Sequence, residues 1–136
     1  MLQATRVLTS AEIQALDTTP VQIIPSPGPA KTITILALVI KLNFATTPYY
    51  APASGPFLLY LDPALLVTQD YWAGLIDQSA DTLNVFQANY LNLYSNQTKT
   101  TYADKPLMLT TPTAQAPSGG DGTATITAYY AITAID

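Results

Sequence analysis

The side chains that could do chemistry in this chain are carboxylates in two pairs, Asp77 with Asp81 and Asp62 with Asp70. Two carboxyl groups that flank a sugar bond can run glycoside hydrolysis, one as the acid and the other as nucleophile or base. Such pairs are also common in solvated loops, and we interpret all four as loop or turn residues. The sequence therefore predicts a protein that is not an enzyme and has no small-molecule substrate.

The residue types on which most catalytic and metal sites depend are absent. The chain has no Cys and no His, which excludes disulfides, thiolate nucleophiles, imidazole acid–base chemistry and most zinc sites. Calcium needs several oxygen ligands in one loop, whereas the glycine-rich residues 119–122 offer only Asp121. That segment also lacks the Lys and the following helix of a phosphate-binding loop. We expect no metal and no cofactor, and a tight turn at this point.

The charge balance argues against nucleic acid as a direct partner. The net charge is −4, and the chain has one Arg and four scattered Lys, so no basic stripe is available for a phosphate backbone. Only 10% of the residues are charged and 49% are hydrophobic, so the surface must be built largely from Thr, Ser, Asn and Gln. A surface of this kind suits lasting contact with other proteins.

No targeting or membrane segment is predicted. The first residues lack the charged leader and long apolar stretch of a secretory signal, so we expect synthesis in a cytoplasm without export. The longest apolar stretch, residues 33–42, contains Thr34 and Lys41 and is about half the length of a membrane-spanning helix. Without export, the glycosylation pattern that begins at Asn96 is best interpreted as a polar turn.

Alternation of apolar and other residues predicts strands along most of the chain. In residues 123–135 one face is mainly Thr, and the other carries Ala, Ile and Tyr. Residues 32–44 are apolar on both faces, which favours a central strand with one face in the core and the other against a neighbouring subunit. Residues 105–110 and 123–135 form two strands around a glycine-rich turn. The predicted strands are residues 21–24, 32–44 and 57–61, one or two strands within residues 82–94, and residues 105–110 and 123–135.

Helix is expected only as short turns. Thr9 precedes Glu12 at the spacing of a capping box, which favours a short helix over residues 10–16. Asp62 before Pro63 favours a single helical turn, and residues 68–79 favour a short helix or an irregular crossing. The sequence thus predicts an all-β fold in one domain, residues 1–136. We expect a two-sheet antiparallel sandwich with one or two short helical turns, a jelly roll rather than an immunoglobulin-like sandwich.

Aromatic pairs and loops supply the candidate contact residues. Tyr49 and Tyr50 are adjacent, as are Tyr71 and Trp72, and neighbours on a strand cannot both point inward. One member of each pair is therefore expected at the surface or beneath another subunit. The N-terminal residues 2–8 and the polar loop at residues 111–122 complete the set, with ordinary solvated loops as the alternative. The candidate interface residues are Leu2, Val7, Tyr49, Tyr50, Tyr71, Trp72, Pro112 and Pro117.

Two stretches resemble small virion proteins of tailed bacteriophages, some of which are jelly-roll cement or decoration proteins of the capsid. The first, residues 8–31, begins LTSAEI and ends TTPVQIIPSPGPAK. The second, residues 105–132, begins KPLML, passes through GGDG and ends YYAI. Together they cover close to half of the chain, and the middle third carries no such resemblance.

The resemblance implies a structural protein of the virion, made in the host cytoplasm, that docks on the outer surface of an assembled capsid. Its partners would be the major capsid protein and itself, as a homodimer or homotrimer, with no membrane and no nucleic acid in direct contact. Two alternatives remain open: a carbohydrate- or receptor-binding sandwich of a phage tail, and a structural component of the tail or neck. Stacking of exposed aromatic rings on sugars would favour the first of these.

Overall fold

The chain forms two antiparallel β-sheets that enclose a single cluster of buried apolar side chains. The computed structural model describes residues 1–61, 65–87 and 102–135. The elements in these ranges are β1 (Leu2–Leu8), α1 (Ser10–Gln14), β2 (Val21–Ile24), β3 (Lys31–Asn43), β4 (Pro56–Leu61), β5 (Leu65–Tyr71), β6 (Thr82–Gln87), β7 (Leu107–Thr110) and β8 (Thr123–Ala134).

Within the described ranges, each sheet contains four strands. Sheet A has the order β1-β8-β3-β6, and sheet B has the order β2-β7-β4-β5. The antiparallel pairs include β1 with β8, β2 with β7, β3 with β6 and β4 with β5. The predicted all-β, two-sheet sandwich is therefore confirmed, whereas the jelly-roll connectivity stays a prediction.

The strand β3 is central in sheet A, as its sequence predicts, and a β-bulge explains why its apolar residues occupy both parities. The register against β8 shifts between Ile35 and Ala37, so the inward side changes from odd to even residue numbers at this point. Ile33 and Ile35 are buried before the bulge, and Leu38 is buried after it. The extra residue, Leu36, is 47% exposed. Sequence periodicity alone interprets this phase change as two apolar faces.

The strand β8 follows its predicted alternation from Thr123 to Ala128, whereas Ile132 on the predicted apolar face is 42% exposed. Ala124, Ile126 and Ala128 are buried, while the threonines between them lie on the outer side. β7 belongs to sheet B and β8 to sheet A, so the glycine-rich segment crosses between sheets instead of closing a hairpin. The two predicted strands are therefore present on either side of the glycine-rich segment, and each pairs with other strands.

The helical predictions were correct at one site and wrong at another. α1 begins after Thr9, and the capping box with Glu12 is formed in both directions. In contrast, β5 runs through residues 65–71 and pairs with β4, so a helix from residue 68 was wrong. Residues 72–76 form a turn, in which the N–H groups of Leu75 and Ile76 donate to the carbonyl oxygen of Trp72, as the alternative of an irregular crossing predicts. Asp62 and Pro63 lie outside the described residues, as do residues 88–101 with the Asn96 pattern and the predicted strand end beyond Gln87.

The core lies between the inner faces of the two sheets. Leu8, Ile13 and Leu16 extend it beneath α1, and Trp72, Leu75 and Ile76 close it after β5. Sheet A contributes the buried residues Ile33, Ile35, Leu38, Ile40, Leu42, Ala124, Ile126 and Ala128. Sheet B contributes Val21, Ile23, Ile24, Phe57, Leu59, Leu61, Val67, Leu107 and Leu109.

Candidate interaction surfaces

Tyr50 projects from a loop whose backbone is hydrogen-bonded to the loop at residues 111–122. Its N–H donates to the carbonyl oxygen of Ser118 at 2.8 Å, and the N–H of Ser118 donates back at 2.9 Å. This antiparallel bridge holds the backbone at Tyr50, while the side chain is 70% exposed. A large aromatic ring on a fixed backbone loses little conformational freedom on binding, which suits an interface anchor.

Tyr49 turns the opposite way and is a core residue, which corrects its assignment as a contact residue. It is 3% exposed, and its hydroxyl donates to the carbonyl oxygen of Gly122 at 2.6 Å. Burial raises the pKa of this hydroxyl. Gly120 lies directly against the ring, since a Cβ at this position would stand 2.6 Å from Cδ2 and closer still to Cγ. Tyr49 therefore joins its loop to residues 120–122.

Asp121 also holds the loop that carries Tyr50. Its carboxylate accepts hydrogen bonds from the N–H of Thr46 at 3.0 Å and the N–H of Thr47 at 2.8 Å. The Thr46 hydroxyl also donates to it. These bonds, the Thr46 hydroxyl first, lower the pKa of Asp121 below its ordinary value. The carboxylate in the glycine-rich turn thus fixes the loop that carries Tyr50.

The substitution Asp121→Asn should lower the midpoint of thermal unfolding at pH 7. The pKa of Asp121 is lower in the folded chain than in the unfolded chain, so the ionised carboxylate stabilises the fold. This stabilisation is fully present at a pH above the unfolded-state pKa, and it is lost as the pH falls through the folded-state pKa. The difference from wild type should therefore shrink below about pH 4. Melting curves between pH 7 and pH 2 measure this.

Asp70→Asn is the matched control for the loss of one charge. Its carboxylate accepts from the adjacent N–H of Tyr71 and ties no distant segment, so its midpoint at pH 7 should stay near that of wild type. If the midpoint of Asp121→Asn stays below that of wild type by the same amount down to pH 2, the ionised carboxylate is not what holds the loop.

Tyr71 and Trp72 divide between surface and core as the adjacency argument predicts. Tyr71, the last residue of β5, is 55% exposed, whereas Trp72 is fully buried. The Trp72 ring lies 5.1 Å from the Phe57 ring, which in turn meets Phe86 of the other sheet at 5.7 Å. Trp72 is therefore removed from the candidate interface, because it fills the space between the sheets. A sugar ring cannot stack on it in the folded chain.

The loop at residues 111–122 is anchored rather than freely solvated. Thr111 and Pro117 are buried, and Pro112 is half-buried. The N–H of Ala114 donates to the carboxylate of Asp17 at 3.0 Å, and the N–H of Gly119 to the side-chain oxygen of Gln14 at 3.1 Å. Pro117 is accordingly buried and is not a surface contact, which corrects that assignment.

The N-terminal residues 2–8 are an edge strand, not a free arm. β1 pairs with β8 of the same chain along its full length. Leu2 is 45% exposed and Val7 is 52% exposed, so both stay available at the surface.

The outer face of sheet A carries exposed apolar residues that the sequence analysis did not single out. Leu83 of β6 is 62% exposed, and Val85 is 66% exposed. The register places Val85 beside Val39 and Leu83 beside Lys41. Alternation in β6 marks two faces, but only the pairing with β3 establishes which of them is outside.

A cleft of about 510 Å³ opens where β1, α1 and β2 meet. Arg6 and Glu12 line it and form an ion pair at 2.5 Å. The single arginine of the chain is therefore occupied with holding α1 against β1. An exposed pair of this kind contributes little to stability.

The carboxylates considered for catalysis serve local structure where they are described. Asp77 accepts from the N–H of Gly74 at 2.8 Å, and Asp81 accepts from the N–H of Phe44 at 2.8 Å. Among the described residues, Asp, Glu, His and Cys form no group of three or more that could hold a metal ion. Within the same part of the chain, no helix has the length and apolar character needed to cross a membrane.

These observations define the chain as a β-sandwich with an anchored loop system and with exposed apolar residues on the outer face of sheet A. No protein-family model, curated protein or solved structure matches it. The resemblance to phage virion proteins therefore stays a prediction.

Proposed function

We propose that this chain is a non-enzymatic structural protein of a phage virion that binds the outer surface of the assembled capsid and bridges capsid subunits. The observation that carries the proposal is Tyr50, 70% exposed on a loop held at several points. Tyrosines on fixed backbones are typical centres of protein interfaces. The small fraction of charged residues in the chain agrees with a surface in permanent contact with other proteins rather than with a fully solvated surface.

We further infer that the sandwich is a jelly roll. Eight strands in two four-stranded sheets are the inventory of that fold. The pairing of β1 with β8, β2 with β7, β3 with β6 and β4 with β5 supports this, because it is the pattern of one long hairpin folded over two sheets. Jelly rolls occur in viral capsids and in lectins, so the topology agrees with either a cement protein or a sugar-binding module.

The mechanism of capsid stabilisation is thermodynamic. A protein that binds only the assembled lattice shifts the equilibrium towards that lattice by mass action. When one copy contacts two capsid subunits, the second contact forms at high effective concentration, so individually weak contacts can hold firmly. No covalent step is required of any residue.

The copy number of this chain in purified virions tests the proposal. Quantitative mass spectrometry against the major capsid protein should give a number of copies comparable to that protein. A handful of copies per particle would replace the proposal with a tail or neck component. Absence from the particle would overturn the virion assignment and leave the sugar-binding alternative.

The substitution Tyr50→Asp should abolish capsid binding and leave the fold intact. A carboxylate at a desolvated contact is costly, whereas a change at a side chain 70% exposed should alter the free energy of unfolding by less than about 0.5 kcal/mol. Co-sedimentation with capsids lacking this protein measures binding, and circular dichroism measures the fold.

Ser54→Asp is the control for Tyr50→Asp, because it adds the same charge at an exposed position outside the bridge to Ser118. It should bind capsids like wild type. Full binding by Tyr50→Asp would remove this loop from the interface.

The sugar-binding alternative now depends on Tyr50 and Tyr71, since the ring of Trp72 is buried. A glycan that stacks on exposed tyrosines should perturb their aromatic NMR resonances and leave the Trp72 indole resonance unchanged. Loss of those perturbations in Tyr50→Ala or Tyr71→Ala would assign the glycan to that residue.

A further inference from the structure

The outer face of sheet A is broad and nearly free of charge. Its residues come from all four strands and alternate with buried residues. Lys41 is its single charged member within the described strands, and Val85 is its most exposed apolar member at 66%. The face consists of Gln3, Thr5, Val7, Ala37, Val39, Lys41, Asn43, Leu83, Val85, Gln87, Thr123, Thr125, Thr127 and Tyr129.

Strand register arranges this face in rows across the sheet. The middle row runs from Val85 through Val39 and Thr127 to Thr5. One neighbouring row contains Lys41 between Leu83 and Thr125, and the row on the other side contains Ala37 between Gln87 and Tyr129. The centre of the face is therefore built from valine and threonine, with the lysine displaced to one side.

We infer that a second copy of this chain packs on the outer face of sheet A, with the two sheets face to face. The inference goes beyond capsid binding and does not require it. The area supports a small dimer interface: the four strands share about seven residues each across this face, which gives a flat footprint of about 450 Å² per copy. Side-chain relief adds to this value, so two copies bury about 1,000 Å² in total, the lower end of the range for a specific interface.

Charge placement favours a two-fold axis across the strands at the middle row. Such an axis lies in the interface and reverses the strand direction of the second copy. Val39 and Val85 then face their own counterparts, and Lys41 of each copy lies over the Ala37 row of the other. Tyr129 in that row offers a ring face and a hydroxyl to the ammonium group.

The same geometry separates the two like charges. Lys41 and its counterpart lie four residues apart along the strand direction, which is about 14 Å. This distance exceeds the Debye length of about 8 Å at physiological ionic strength, so their repulsion is screened. A face with one lysine is thus compatible with its own copy.

Sedimentation equilibrium on the whole chain tests the inference. Wild type should show a mass approaching that of two chains as the concentration rises. Val85→Asp places two carboxylates opposite each other across the axis and should raise the dimer dissociation constant at least about 100-fold. Tyr50→Asp, with the same added charge away from the face, should dimerise like wild type. Circular dichroism checks that each variant is folded.

A crosslinking experiment identifies the face directly, because the chain contains no cysteine. Val85→Cys should be joined into a covalent dimer by a short bismaleimide, and Tyr71→Cys should not. A wild-type monomer at every concentration, or crosslinking through residue 71 alone, would overturn the inference. Neither result bears on the capsid proposal, which the copy number in virions tests separately. A failure of the dimer is therefore distinguishable from a failure of the capsid proposal.

Discussion

Trp72→Ala should lower the free energy of unfolding by about 3–5 kcal/mol, the largest loss expected from any single truncation in the described chain. Trp72 is fully buried and packs against Phe57 at 5.1 Å. Phe57 links it to Phe86 of sheet A, so the truncation leaves a cavity where the two sheets meet. Since small domains are stable by about 5–15 kcal/mol, the variant should be close to its folding threshold. Urea unfolding followed by circular dichroism measures the loss.

Tyr71→Ala is the matched control, because it removes the adjacent aromatic ring from the surface. At 55% exposure it should cost less than about 0.5 kcal/mol. The loss of unfolding free energy in Trp72→Phe should lie between those of Trp72→Ala and Tyr71→Ala. Nε1 of Trp72 has no hydrogen-bond partner among the described residues, so this substitution removes volume but no hydrogen bond. Equal stabilities for Trp72→Ala and Tyr71→Ala would contradict the burial of Trp72.

The sequence predicts best those elements whose causes are local. The capping box between Thr9 and Glu12 depends on only four consecutive residues, and it forms as expected. In β8 the alternation of threonine with Ala124, Ile126 and Ala128 needs only one covered face. Both predictions therefore survive without knowledge of the remaining chain.

The sequence predicts poorly those features that depend on pairing between distant segments. The bulge at Leu36 is defined by the register of β3 against β8, and periodicity cannot separate it from a strand that is apolar on both faces. The prediction of a helix from residue 68 failed for the same reason, because residues 68–71 pair with β4 and the turn begins only at Trp72.

For the candidate surfaces as well, the sequence predicts what has a local cause and misses what depends on strand pairing. Adjacency predicts that one residue of each aromatic pair is exposed, but it does not identify Tyr50 and Tyr71 as those residues. The outer face of sheet A escapes notice because Leu83 and Val85 resemble core residues in the sequence. Their exposure follows from the pairing of β6 with β3, which turns both side chains to the outer side of sheet A.

Gly120→Ala should destabilise the chain by about 2–3 kcal/mol through a steric clash. A Cβ on Gly120 would stand 2.6 Å from Cδ2 of Tyr49, with two other ring atoms closer. The ring cannot move away freely, since its hydroxyl is bonded to the carbonyl oxygen of Gly122. Backbone displacement near residue 120 should also disturb the bridge between Tyr50 and Ser118. Urea unfolding measures the stability, and Ser118→Ala, an exposed neighbour, should behave like wild type.

A double-mutant cycle shows whether the clash is the cause. Tyr49→Leu removes the ring and should itself be destabilising, because it empties a buried site and loses one hydrogen bond. In the Tyr49→Leu background, however, Gly120→Ala should cost less than about 1 kcal/mol, so the two effects should be strongly non-additive. Additive effects would mean that Gly120 is required for another reason. Non-additivity would establish that the glycine holds the Tyr50 loop in place by admitting the ring of Tyr49.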